Sequence, residues 1–102
     1  MVWSKELYNI ALEHSKNMAE GLVAFGHDGF YMRKEKVSIF VRMFSENVAY
    51  NYGCGDPVEV AVKGWINSPE NGKIMLAAHN LCGIGVYCKG GKYYFTQLLA
   101  LQ

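Results

Sequence analysis

The sequence is short of most features that would assign it quickly. It has only 102 residues, which suits one domain over 1–102 and leaves no room for two. No apolar run approaches the roughly 20 residues needed to span a bilayer. Met1-Val2-Trp3-Ser4 lacks the apolar stretch of a signal peptide, so the chain is either cytosolic or has lost a leader. No basic run exists that could track a phosphate backbone, which excludes a nucleic-acid partner. The densest charged stretch, Arg33-Lys34-Glu35-Lys36, has an acid inside it, and the net charge is only +1. Cysteines number three, so at least one thiol is unpaired within the chain. Cys82 and Cys88 stand six apart in an expected strand, about 20 Å from each other, and cannot bridge. Cys54 could pair with one of them, but the sequence does not declare its redox compartment.

What is present argues for a packed fold. Half the residues are apolar (51%) and 14% are aromatic, too many for a disordered chain. From Ser4 to Gly21, Leu7, Ala11, His14 and Met18 recur at 3–4 spacing and form one helical stripe. Ser4 suits the N-cap, Trp3 and Tyr8 a hydrophobic staple, and Gly21 the C-terminal stop. A turn-rich loop follows over Phe25-Gly26-His27-Asp28-Gly29-Phe30. Residues 37–44 alternate weakly and admit a short strand, and residues 45–55 read as a loop. Asp56-Pro57-Val58-Glu59 opens a second helix: Asp56 caps, Pro57 takes the first helical position and Glu59 completes a capping box. Val58, Val62 and Trp65 share its inner face, Ser68-Pro69 ends it, and a further short helix is expected over 70–78. The last third changes period. Residues 82–88 and 93–100 read as two strands joined by a tight Lys89-Gly90-Gly91-Lys92 turn.

These segments carry motifs in a recognisable order. Trp3-Ser4 precedes Ala11-x-x-His14-Ser15-x-x-Met18-Ala19. Phe25-Gly26-His27 follows, then Glu46-Asn47-Val48-Ala49, then Val62-x-x-Trp65-x-x-Ser68-Pro69. Gly83-Ile84-Gly85-Val86 and Tyr94-Phe95-Thr96-Gln97 close the chain. Together they resemble the CAP superfamily of sperm-coating and plant pathogenesis-related class 1 proteins, in its short, mainly microbial branch. The resemblance implies an α/β fold, a three-layer α-β-α sandwich around a small, mostly antiparallel sheet. Alternating helical and strand periods independently point to α/β or α+β.

The chain also departs from the family pattern. The family's usual first helix is missing. After Ser68-Pro69, the microbial "G-H-R" is replaced by Glu70, Asn71 and Gly72. The animal and plant branch has a Glu three after the Trp and a His two before the Thr, where this chain has Ser68 and Tyr94. The resemblance therefore implies a degenerate cleft of His27, Glu46, Ser68, Asn71 and Tyr94, with only His27 and Glu46 kept from the usual set.

A His and a carboxylate converging in a cleft can bind a divalent metal or move a proton. Two ligands are too few for a tight site, because structural zinc takes four and catalytic zinc three, so at most weak zinc binding is expected. The competing reading is a structural hydrogen bond between loop and cleft. Glu46-Asn47 likewise reads as a box that pins a turn. His14 lies on an apolar stripe and reads as a core histidine. His79 is assigned no chemistry. Neither Ser15 nor Ser68 sits in a nucleophile elbow, and Gly83-x-Gly85 follows no strand-to-helix turn, so serine-hydrolase and nucleotide-binding readings fail.

Three functions remain. The first is a non-catalytic, secreted and extracellular binding domain for a lipid, a sterol or a protein partner, as the resemblance implies. The second is a metal-dependent hydrolase or protease acting through His27 and Glu46. The third is a structural interaction module. The missing first helix would leave an apolar face for a second copy in a homodimer, or for a rearranged segment, to cover.

Overall fold

The computed structural model describes residues 2–52, Gly64 and residues 79–102. The helices expected from Asp56 and over 70–78, together with Cys54, Ser68 and Asn71, lie outside the described residues. The elements in chain order are β1 (Val2–Trp3), α1 (Lys5–Ala19), α2 (Phe30–Lys36), β2 (Met43–Asn51), β3 (Leu81–Lys89) and β4 (Lys92–Leu101). The strands form one sheet in the order β1-β3-β4-β2. Only β1 and β3 run parallel; β3–β4 and β4–β2 are antiparallel. The chain is thus α/β, with helices packed on a small, mostly antiparallel sheet.

The first helix forms as its sequence demands. Ser4 Oγ accepts from the Leu7 amide at 3.2 Å and caps the N-terminus. The stripe of Leu7, Ala11, His14 and Met18 is buried. The Trp3 and Tyr8 rings meet at 5.7 Å between centroids. The helix closes on Gly21 at φ 73°, a conformation glycine adopts without cost.

Gly83 and Gly85 let the helix lie directly on the sheet. A Cβ on Gly83 would collide with the backbone of Leu7 and Tyr8, and one on Gly85 with that of Ala11 and Leu12. Ser15 locks the contact: its Oγ donates to the Gly85 carbonyl at 2.9 Å and meets Thr96 Oγ1 at 2.8 Å. The Gly-x-Gly strand motif is therefore a place of backbone approach. The hairpin turn also forms as expected, with Gly90 and Gly91 both at positive φ and Lys89 opposite Lys92.

Both faces of β4 are buried. Thr96, Leu98 and Ala100 face α1, and Phe95, Gln97 and Leu99 lie on the other side. A sheet covered on both faces is what a three-layer arrangement requires.

Two readings of the middle segment need correction. Residues 37–42 form no strand, and the expected loop over 45–55 is largely β2. The strand continues through Glu46 and Asn47 because both side chains find partners on opposite faces. Asn47, fully buried, donates from Nδ2 to Gln97 Oε1 at 2.8 Å across the sheet and pins no turn. A third correction is α2, which the sequence reading missed. It is a seven-residue helix entered through Gly29 with no side-chain cap.

Candidate functional site

The loop between α1 and α2 is fastened to β2 and to α1 by three consecutive residues. Phe25 packs edge-on against Tyr50, with ring centroids 4.7 Å apart. Gly26 offers its carbonyl to His14 Nε2 at 2.8 Å. His27 Nδ1 lies 2.8 Å from Glu46 Oε1. Glu46 projects from β2 toward α1 and α2, and its side chain is 1% exposed.

Arg33, on α2, completes the network. Its Nε donates to Glu46 Oε2 at 2.6 Å and its Nη2 to Glu46 Oε1 at 2.7 Å, a bidentate pair. Nη2 also donates to the His27 carbonyl at 3.2 Å. Nη1 donates to the Asp28 carbonyl at 2.7 Å and to His14 Nδ1 at 3.1 Å. All five guanidinium N–H groups are therefore used.

The partners fix both imidazoles. His14 must donate from Nε2 to Gly26 and accept at Nδ1 from Arg33, which is a neutral ring. Burial lowers its pKa, and the nearby Arg33 charge adds to that, against the raising pull of the Gly26 bond and of Glu46. His14 is a satisfied core histidine. His27, whose side chain is 55% exposed, donates from Nδ1 to Glu46, so its neutral form keeps a lone pair at Nε2.

His27 and Glu46 do meet, in a cleft of about 620 Å³ walled by Phe30, Tyr31, Met32 and Phe44. Tyr94 does not join them. It stands opposite Tyr50, four residues further along the sheet than Leu98, the partner of Glu46. Ser45, at the rim, pairs with His79 Nε2 at 3.1 Å. The residue missed by sequence reasoning is Arg33. It looked like one member of a local charge run, and its partner lies thirteen residues away.

Among the described residues, the donors at His27 and Glu46 suit a zinc ion poorly. Both Glu46 oxygens already accept from Arg33, and a cation there would stand beside a guanidinium. Among the described residues no cluster of three or more His, Cys, Asp or Glu is placed to share a metal. Cys82 and Cys88 are both free.

A family model described as CAP, the cysteine-rich secretory protein family, matches residues 1–99. No curated protein matches the chain in sequence. Among solved structures, an extracellular protein containing an SCP domain from Bacillus anthracis superposes with TM-score 0.84 at 25% identity, over 100% of this chain and 34% of that one. An outer surface protein from Borrelia burgdorferi gives 0.81 at 17%, over 100% and 77%. A venom allergen-like protein from Schistosoma mansoni gives 0.69 at 19%, over 98% and 66%. This chain thus spans about a third of the Bacillus protein.

Proposed function

Since the chain belongs to the CAP family of cysteine-rich secretory proteins, we propose that it is a secreted, non-catalytic binding domain whose cleft takes an apolar ligand, a lipid or a sterol. One observation carries this reading: the buried carboxylate of Glu46 is neutralised by Arg33 and held as structure. The rest of the cleft lining is largely apolar, from Phe30, Tyr31, Met32 and Phe44, with His27, Asp28 and Ser45 as its other polar side chains. Such a cleft suits an amphipathic molecule with an apolar body. The extracellular and surface settings of the Bacillus and Borrelia relatives support secretion.

A fluorescent fatty acid and a fluorescent sterol, each titrated into the protein, test the proposal. Saturable micromolar binding of either, weakened about tenfold in Met32→Glu, is expected. Failure of both to bind would turn the reading toward a protein partner.

A second reading draws on His27. With Nδ1 tied to Glu46, Nε2 is oriented for proton transfer, as a hydrolase acting through His27 and Glu46 would need. Turnover of a peptide or ester substrate, lost in His27→Gln, would establish it.

A further inference from the structure

Beyond the His27 cleft, a second constellation lies on the same sheet face. Tyr50 and Tyr94 stand directly opposite each other on β2 and β4, with ring centroids 6.0 Å apart. Tyr52 and Lys92 extend that face by two positions on either strand, because side chains repeat with period two. All three rings lie close to the Lys92 ammonium. Nζ lies 4.0 Å from the Tyr50 centroid, 5.0 Å from that of Tyr94 and 5.4 Å from that of Tyr52. All three fall within the roughly 6 Å over which an aromatic face attracts a cation.

The arrangement is open to solvent. Tyr50 is 46% and Tyr52 69% exposed. Phe25 also packs edge-on against Tyr50, a contact that does not involve Lys92. Among the described residues no carboxylate pairs with Lys92. A hydrogen bond to Tyr94 is the main influence raising the lysine's pKa, and the phenols add to it.

A lysine ammonium is a poor occupant for such a cage. It is compact and strongly hydrated. A quaternary ammonium has no N–H to leave unsatisfied, and its methyl groups cover the ring faces, which is the established use of aromatic cages. We propose that Tyr50, Tyr52 and Tyr94 form a binding site for a quaternary ammonium group of the choline type, with Lys92 as a tethered occupant that the ligand must displace. The site stands apart from the His27 cleft, since Tyr50 and Glu46 are four residues apart on β2, about 13 Å along an extended strand. It therefore holds or fails independently of the reading of that cleft.

Tethering sets the expected affinities. An intramolecular occupant competes at a high effective concentration, so the wild-type protein binds weakly and removal of Lys92 strengthens binding. The Lys89 ammonium, directly across the turn from Lys92, offers a second positive charge. A displaced Lys92 and Lys89 together suit the phosphate of a phosphocholine, which distinguishes that headgroup from a free cation.

The test is a titration of the full chain with tetramethylammonium chloride, followed through the ring resonances of the three tyrosines. Lys92→Ala is expected to lower the Kd at least tenfold relative to wild type, and Tyr52→Ala, added to it, to reverse most of the gain. Tyr52 is exposed, so that change leaves the core intact. Phosphocholine binding wild type more tightly than choline assigns the headgroup as the source; equal affinities assign the free cation. A Lys92→Ala protein that binds no more tightly than wild type, or binding that survives Tyr52→Ala unchanged, overturns the proposal.

Discussion

Arg33 and Glu46 hold each other through two parallel N–H···O bonds, 2.6 and 2.7 Å long, and both side chains are almost wholly buried. The pair joins α2 to β2, and through His14 and His27 it reaches α1 and the loop between the helices. A buried ion pair of this kind need not add stability over an apolar replacement. Breaking it from one side leaves an uncompensated charge in the interior.

Arg33→Ala is therefore expected to destabilise the fold by about 3–5 kcal/mol, measured by denaturant unfolding. Arg33→Lys is expected to rescue little of this, because a lysine cannot supply the fork that meets both Glu46 oxygens. A loss under about 1 kcal/mol for Arg33→Ala would mean that Glu46 gains water or another partner.

Gly85→Ala is expected to cost about 3 kcal/mol. The new methyl would meet the backbone of Ala11 and Leu12, which cannot rotate away as a side chain would. Thermal unfolding of the variant checks it, and near-neutral behaviour would mean that α1 can lift from the sheet.

His14 supplies a pH dependence. Its pKa is lowered in the folded state, mainly by burial, from the ordinary imidazole value near 6.5. Just below about pH 6.5 the unfolded chain takes up a proton at His14 that the native chain refuses, so the unfolded state binds more protons. Stability should fall as pH drops through that window, and the His14 contribution should level off once the folded histidine is also protonated. Unfolding free energies of wild type and His14→Gln across pH 5–8 are expected to converge as pH falls. Parallel curves would show that His14 is not the group responsible.

Much of the fold was legible because local pattern and tertiary role agreed. The stripe of Leu7, Ala11, His14 and Met18 is spaced for a helix and is buried as one. The Lys-Gly-Gly-Lys turn has the only residue type that takes two successive positive φ angles without strain. The strand through Glu46 and Asn47 was illegible because its inward residues are polar. Hydrophobic alternation cannot report a carboxylate matched by Arg33 on one face and an amide matched by Gln97 on the other. The short α2 lacks a side-chain cap, and Arg33 within it looks like a solvated charge until its distant partner is known. The same blindness affects the site: His27 and Glu46 were visible as residue types, but the group that saturates Glu46 was not. Likewise Tyr94 was grouped with the cleft by motif position, and only the strand register places it beside Tyr50 and Lys92.

We propose that Glu46 serves the structure and leaves the cleft free for an apolar ligand rather than for metal chemistry. Calorimetric titration with zinc tests it most directly, because a metal site at His27 and Glu46 would have to displace Arg33 from the carboxylate. Weak binding or none is expected, in keeping with the small donor set. Sub-micromolar zinc binding to the wild-type protein, lost in His27→Ala with the fold intact, would contradict it.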